Sequence, residues 1–335
     1  MTKPRAEKPY ATKGRLTRAV AFGGAVLGMV AGVNALLAIR AGKPRDELGG
    51  VFARYPWRFG DLAYSVTGRG APLVLVHGLG AGNSMAEWRE VFPLLSEHFT
   101  VYAFDFSGWG LSDQPQISHQ AADYVSQLVN FIEDVVGAPC VVAASADGCN
   151  YAIEAATRLP NLVTKLVLTN PTLVLERGNL AEALTKISEK LIASPILGAT
   201  LNNILASSRS IRFFARHQLF YDKSLADDNF VRRHASCAHR SASRLAIAGF
   251  LSGRARLDAR PFWNVLEQPA LLIWGRNSTI CGLETAPEWL AAKPDAQLEI
   301  IEKAMLLPHC EHPQIWTDRV LDWLRSEAEK PAPSL

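Results

Sequence analysis

The 335-residue chain has no marked excess of charge of either sign, because 35 lysines and arginines stand against 32 aspartates and glutamates. A nearly balanced chain offers no broad cationic face for a phosphate backbone, so nucleic-acid binding is not expected. No repeat of 20 to 50 residues is evident, which excludes solenoids and propellers. Charged residues make up only 20% of the chain and hydrophobic residues 48%, which excludes a disordered polymer and predicts a packed core.

Cysteine is scarce, and no two cysteines form a Cys-x-x-Cys pair. Their odd number and wide spacing argue against a disulfide framework and against a zinc ribbon. The five are Cys140, Cys149, Cys237, Cys281 and Cys310. We interpret them as isolated thiols of the core, and we expect neither a metal nor another cofactor.

An uncharged run of 21 residues, Ala19 to Ile39, has Asn34 as its only strongly polar side chain. At about 1.5 Å per residue this run spans the ~30 Å hydrocarbon core of a bilayer, so it predicts a single transmembrane helix and a membrane location. Six lysines and arginines precede the run and four follow it before residue 55, which favours a cytoplasmic N-terminus and an exported domain. A signal peptide cleaved near Ala35 or Ala38 is the alternative.

Three glycines within this run, Gly24, Gly28 and Gly32, share one helical face. Positions without side chains allow another helix to approach closely, so this face predicts a transmembrane helix partner. The alternative is that glycine is simply common in such helices.

From about Tyr55 onward, apolar runs typical of strands alternate with amphipathic stretches typical of helices. This alternation predicts a mostly parallel sheet covered by helices on both faces, with ligands bound beyond the carboxyl ends of the strands. The predicted organisation is a basic segment at 1–18, a transmembrane helix at 19–39, a linker at 40–54, a core at 55–170 and 263–325, a helical cap at 171–262 and a flexible tail at 326–335.

Five short motifs follow the predicted strands in a distinctive order. They are His77-Gly-Leu-Gly80, Asp105-x-x-Gly-x-Gly-x-Ser112, Ala143-Ala-Ser-Ala-Asp147, Trp274-Gly275 and Leu307-Pro-His-Cys-Glu-His-Pro313. In this order they resemble the landmarks of the α/β-hydrolase superfamily, in particular its capped members that act on esters or lipids. The resemblance implies an α/β-hydrolase fold, a mostly parallel sheet flanked by helices with a helical cap inserted.

The resemblance also implies positions for a catalytic triad and an oxyanion hole. It puts Ser145 at the nucleophile elbow and the oxyanion hole at the backbone of Leu79 and Ala146. It puts Ser278 where the family has the triad acid, and Leu306 where it has the histidine base. Leucine accepts no proton, so a serine beside it lacks the base that activates it.

Two functional hypotheses follow. The first is a degenerate, membrane-anchored hydrolase that uses its pocket to bind a lipophilic small molecule or a membrane partner. The second is an active ester or lipid hydrolase in which Ser145 works with a displaced base such as His309, oriented by Asp147 or Asn170. The cap is rich in apolar side chains and arginines, which suit packing on the sheet, a lipophilic pocket or contact with membrane lipid.

Overall fold

The computed structural model describes residues 27–172, 191–192, 194–240 and 242–329. Its centre is an eight-stranded sheet, as the alternation of apolar runs predicts. The strands are β1 Val51–Tyr55, β2 Leu62–Gly68, β3 Pro72–Val76, β4 Thr100–Phe104, β5 Cys140–Ser145, β6 Val163–Thr169, β7 Ala270–Gly275 and β8 Gln297–Ile301. Their spatial order is β1-β2-β4-β3-β5-β6-β7-β8. Strand β2 runs antiparallel to both of its neighbours, and strands β3 to β8 are parallel.

Twelve helices are labelled here along the described residues. They are α1 (described over 27–41), α2 Phe92–Ser96, α3 Ala121–Phe131, α4 Asp147–Arg158, α5 Leu197–Leu205, α6 Ser208–Phe214, α7 Asp228–Ala238, α8 Ser243–Ser252, α9 Arg260–Trp263, α10 Ala286–Ala292, α11 Pro308–Glu311 and α12 Pro313–Glu329. Short 3-10 turns cover Met85–Trp88, Lys223–Leu225 and Leu283–Thr285, and wider helical turns cover Ile132–Val136 and Ala215–Leu219. The described part of the predicted cap is helical.

Alternating side chains of the central strands build a separate core on each face of the sheet. On β3, Val74 and Val76 point into one core and Leu73 and Leu75 into the other. Helices α3, α4, α9 and α10 cover the first face, while α2 and α12 cover the second. Helices shield both faces of the sheet from solvent, which is why the parallel strands consist almost entirely of apolar residues.

Two predicted boundaries need correction. Strand β1 lies at the end of the segment predicted as a linker, and its mostly exposed edge position leaves no apolar alternation in the sequence. Helix α12 continues to Glu329, so the tail predicted from residue 326 begins inside it. No helix-breaking residue occurs between residue 326 and Pro331, so the sequence allows the helix to continue past the predicted boundary.

Helix α1 carries the second half of the predicted transmembrane segment. Residues 19–26 lie outside the described residues, and so does Gly24. Within the described part of the chain, no helix combines the length and the apolar character needed to cross a bilayer. Asn34 does not point into solvent, because its side-chain amide donates to Thr200 Oγ1 at 3.0 Å in the cap. Among the described residues, a Cβ added at Gly28 or Gly32 would have no neighbour within 4 Å.

Candidate active site

A sharp turn joins strand β5 to helix α4, and Ala146 is the residue that makes it. Ala146 has φ of 46° and ψ of −123°, a conformation that residues with a side chain rarely adopt. In a nucleophile elbow, the nucleophile occupies such a strained turn between strand and helix. The turn expected at Ser145 therefore lies one residue later, and Ser145 is the last residue of the strand.

The position of Gly148 agrees with a turn centred on Ala146. A Cβ at Gly148 would lie 2.7 Å from the carbonyl oxygen of His77, so α4 starts too close to the end of β3 to carry a side chain there. In the pattern Gly-x-Ser-x-Gly, the second glycine follows the nucleophile by two residues. Gly148 follows Ala146 by two residues and Ser145 by three.

Ser145 is completely buried, and its hydroxyl is held on two sides. Its Oγ accepts a hydrogen bond from the backbone N–H of Gly78 at 3.1 Å. The same hydroxyl donates to the carboxylate of Glu87. The hydroxyl proton is thus directed to a carboxylate, and no histidine nitrogen accepts it.

Glu87 is a functional-site residue that the motifs do not reveal. It lies in the 3-10 turn Met85–Trp88, between β3 and α2, and it reaches Ser145 across 58 positions of sequence. Its Oε1 lies 3.3 Å from Nε2 of His309. Burial acts to raise the pKa of Glu87, but the interactions with His309 and the Ser145 hydroxyl outweigh it, so the pKa is lowered from its ordinary value.

His309, the predicted substitute base, lies at the start of α11 and is fully buried. Its ring stacks on Trp88 with 4.2 Å between the ring centres. Among the described residues, neither of its ring nitrogens makes a hydrogen bond, so the approach of Nε2 to Glu87 is a close contact of the two side chains. The structure therefore brings Ser145, Glu87 and His309 together, with the carboxylate of Glu87 contacting both of the other two.

Leu306 and Ser278 lie beyond the ends of β8 and β7, as the resemblance implies. Asn170 holds this region together, since its side-chain amide donates to the carbonyl of Leu306 at 2.8 Å and to that of Met305 at 3.1 Å. Its Oδ1 accepts from the N–H of Gly275 at 3.3 Å. Asn170 thus has a structural role. The Ser278 hydroxyl is buried and has no hydrogen-bond partner in the described part of the chain.

Apolar side chains fill the space at the turn. Ala146 and Leu306 belong to one buried cluster, to which the predicted cap contributes aliphatic and aromatic side chains. The other buried members are Ile211, Ala215, Leu219, Phe220, Ala226, Phe230, Val231, Ala235, Cys281 and Leu307. Next to Glu87 and Leu307 a cavity of about 20 Å³ remains, which is room for about one water molecule.

The predicted oxyanion hole needs one correction. The backbone N–H of Ala146 donates to the carbonyl of Thr169 at 3.0 Å within the sheet, so it is not free to bind an oxyanion. Leu79 lies buried after β3. Burial raises the pKa of Asp147 to about 6, against the opposing effects of Arg256 and Thr172. When ionised, a carboxylate next to this turn opposes the negative charge of an oxyanion.

His77 is a structural residue at the end of β3. Its Nε2 accepts from the N–H of Phe106 at 3.2 Å, so the proton lies on Nδ1 and points to the carbonyl of Gly78 at 2.7 Å. Asp105 opens the predicted glycine-rich turn, and its two carboxylate oxygens accept from the N–H groups of Met85 and Leu111 at 2.6 Å. Both polar groups support the loops around the site.

Comparisons with known proteins agree with this architecture. The model of the alpha/beta hydrolase family matches residues 73–319. The chain is 26% identical to a 2-hydroxy-6-oxo-6-(2'-aminophenyl)hexa-2,4-dienoic acid hydrolase of Metapseudomonas resinovorans, over 80% of this chain and 89% of that protein. Among solved structures, a serine hydrolase involved in carbazole degradation superposes with a TM-score of 0.67 at 20% identity, over 82% of this chain and 99% of that one. A membrane phospholipase A, described as a bacterial virulence factor, superposes with a TM-score of 0.69 at 19% identity, over 97% of this chain and 100% of that one.

Proposed function

The chain belongs to the alpha/beta hydrolase family, and from this premise we propose that it is a degenerate, membrane-anchored member that does not hydrolyse esters. The observation that carries the proposal is the strained turn at Ala146, which puts an alanine methyl group where an elbow presents its nucleophile. A methyl group cannot attack a carbonyl carbon. Homologous hydrolases share the fold with this chain, but fold alone does not establish an activity.

The other two triad positions support the same proposal. Ser278 offers a neutral hydroxyl where the family has a carboxylate, and Leu306 offers an aliphatic side chain where it has an imidazole. Leu306 belongs to the same buried apolar cluster as Ala146, an environment that suits neither a charged acid nor a base. The loss thus extends to the nucleophile, the acid and the base together.

The alternative is a hydrolase that uses Ser145, and one observation favours it. Gly78 N–H and Glu87 flank the Ser145 hydroxyl, and His309 lies behind Glu87. The lowered pKa of Glu87 makes its carboxylate a weak base for the hydroxyl proton. Ser145 is also completely buried, so a substrate carbonyl has no path to its Oγ unless the cluster opens.

A fluorophosphonate probe separates the two proposals. Because Ser145 lacks an adequate base, we expect no adduct on the purified full chain after incubation and mass spectrometry. An active α/β-hydrolase, treated in parallel, should be labelled stoichiometrically. Labelling of Ser145 that disappears in the Ser145→Ala variant would establish the hydrolase instead.

We propose a lipophilic small molecule or a membrane partner as the ligand of this fold. The apolar cluster over Ala146 has the chemistry to contact acyl or prenyl chains. With only about 20 Å³ beside it, the described conformation is closed, so such a ligand enters only when the cap moves away. The carboxylate of Glu87, beside Ser145, repels an anionic group of a ligand.

We further propose that residues 19–39 anchor the chain in a membrane with a cytoplasmic N-terminus. The full chain should remain in the membrane pellet after a carbonate wash, because an apolar helix inserts far more firmly than surface contacts do. Deletion of residues 1–42 should allow the same carbonate wash to release the domain, since the matched family region begins only at residue 73. A mature chain that starts after Ala38 would identify a cleaved signal peptide. The face of Gly24, Gly28 and Gly32 remains a predicted contact for another transmembrane helix.

A further inference from the structure

We propose that a face of the cap formed by α5 and α6, held beside the membrane-inserted α1, lies on the surface of a bilayer that contains anionic phospholipids. This inference rests on the membrane anchoring proposed above and adds which surface of the domain contacts the lipid. We call it the lipid face. Three features carry it: a polar contact that joins α1 to the cap, exposed apolar side chains on all three helices, and a groove lined with arginines.

The side chain of Asn34 joins α1 to the cap through hydrogen bonds. Its Nδ2 donates to Thr200 Oγ1 at 3.0 Å, and its Oδ1 accepts from Asn203 Nδ2 at 2.8 Å. Both partners lie on α5. Helix α6 is tied in turn to α5, because Ser210 Oγ donates to the carbonyl of Ile204 at 2.8 Å. A helix that leads into a bilayer therefore holds α5 and α6 close to that bilayer.

The three helices expose an unusual number of large apolar side chains. Met29 and Ile39 on α1 are 72% and 75% exposed, Ile204 on α5 is 60% exposed, and Phe213 on α6 is 66% exposed. Soluble surfaces rarely gather such side chains on neighbouring elements, and a set of this kind marks a contact surface. The other exposed members are Leu27, Val33, Leu36, Leu37, Leu197, Leu205 and Phe214.

Arginines accompany these apolar side chains along α6. Arginines spaced by three and four residues lie on one side of α6 and of the wider helical turn that follows it. They surround an open groove of about 400 Å³. The groove is lined by Ser208, Arg209, Arg212, Phe213, Arg216 and His217. Arg212 pairs with Asp228 at 2.5 Å. Within the described residues, neither Arg209 nor Arg216 has a carboxylate partner, so these two arginines leave an excess of positive charge among the described side chains of the groove.

This combination fits the interface of an anionic bilayer better than it fits a soluble ligand. Long arginine side chains lay their stems along apolar surface and carry their charge to the phosphate level. Phe213, whose ring stacks on His217 at 4.3 Å, extends between them. The opposite side of α6 supplies Ile211 to the apolar cluster over Ala146. Helix α6 thus lies between the lipid face and the closed site.

Hydrogen exchange of the full chain in nanodiscs tests the proposal. We expect peptides from residues 204–217 to exchange more slowly in discs of phosphatidylcholine with phosphatidylglycerol than in phosphatidylcholine alone. Each arginine near the headgroups strengthens attachment about fivefold. Arg209→Glu combined with Arg216→Glu should therefore abolish the difference. Arg69→Glu combined with Arg325→Glu, which changes two exposed arginines outside these helices, should keep it.

Three results would overturn the lipid face. One is equal exchange in the two kinds of disc, and another is a difference that survives in the Arg209 and Arg216 variant. The third is protection in detergent that grows with protein concentration, which would assign the face to a second copy of this chain. If the chain fails to enter the discs, the proposed anchor is contradicted. Co-sedimentation of the chain with phosphatidylglycerol vesicles then tests the lipid face separately from the anchor. Phe213→Ser gives an independent variant that leaves the charges unchanged and should also weaken the protection.

Discussion

Ala146→Ser combined with Ser278→Asp and Leu306→His should give the protein an esterase activity at least about 10²-fold above that of the parent. The three changes supply the nucleophile at the strained turn, the acid and the base, and triad members act as a unit, so each change alone should gain little. A small ester such as p-nitrophenyl acetate is the appropriate substrate, because the cap closes the site. Release of p-nitrophenol measures the gain.

The comparison that decides the position of the nucleophile is with the double variant Ser278→Asp and Leu306→His. If Ala146 occupies the nucleophile position, the double variant stays inactive because it still lacks a hydroxyl there. Equal gains in the double and triple variants would place the nucleophile at Ser145. A triple variant with Leu306→Gln in place of Leu306→His is the matched control, since glutamine is polar but is no base. Thermal unfolding of each variant checks that the apolar cluster tolerates the new side chains.

Glu87→Ala should cost about 1–3 kcal/mol of the free energy of unfolding at neutral pH. The substitution leaves His309 buried without its carboxylate and leaves the hydroxyl of Ser145 without its acceptor. Urea unfolding measures the loss. Glu90→Ala is the matched control three residues away. Glu90 is 42% exposed and pairs with Arg89 at 2.8 Å, so its loss should cost under about 1 kcal/mol. Equal losses would show that Glu87 contributes no more than a surface carboxylate.

The stabilising effect of Glu87 should also depend on pH in a defined direction. Its pKa in the folded protein is lowered from the ordinary value of 4.5, so the folded state binds this proton less tightly than the unfolded chain does. Its contribution is therefore fully present above pH 4.5 and is lost as the pH falls through the folded pKa. The difference in stability between the parent and Glu87→Gln should shrink toward low pH. A difference that grows on acidification would contradict a lowered pKa.

Local sequence patterns were sufficient to predict the parallel strands of the sheet and the loops at its carboxyl edge. Parallel strands buried on both faces, such as β5 and β7, leave continuous apolar runs that a sequence displays directly. Strand β1 has no such run because it lies exposed at the edge. The motifs around His77 and Asp105 were recognisable for the same local reason, since their polar atoms bind backbone groups within the neighbouring turns.

The register of the elbow shows where a local pattern misleads. The sequence contains one hydroxyl near the end of β5, and that hydroxyl drew the assignment to Ser145. The backbone puts the strain on Ala146 instead, and the crowding of Gly148 against the carbonyl of His77 agrees with it. An assignment from the spacing of Gly148 alone would have found the same position, so the signal was present in the sequence.

The sequence by itself determined the α/β-hydrolase architecture, because strand periodicity and short motifs depend on residues close along the chain. The loss of the acid and base at Ser278 and Leu306 stays a prediction from those motifs. Only the tertiary structure decided that Glu87 lies between Ser145 and His309, and that cap side chains close over Ala146. Those contacts join residues 58 and more positions apart, and chain folding rather than local spacing brings such residues together.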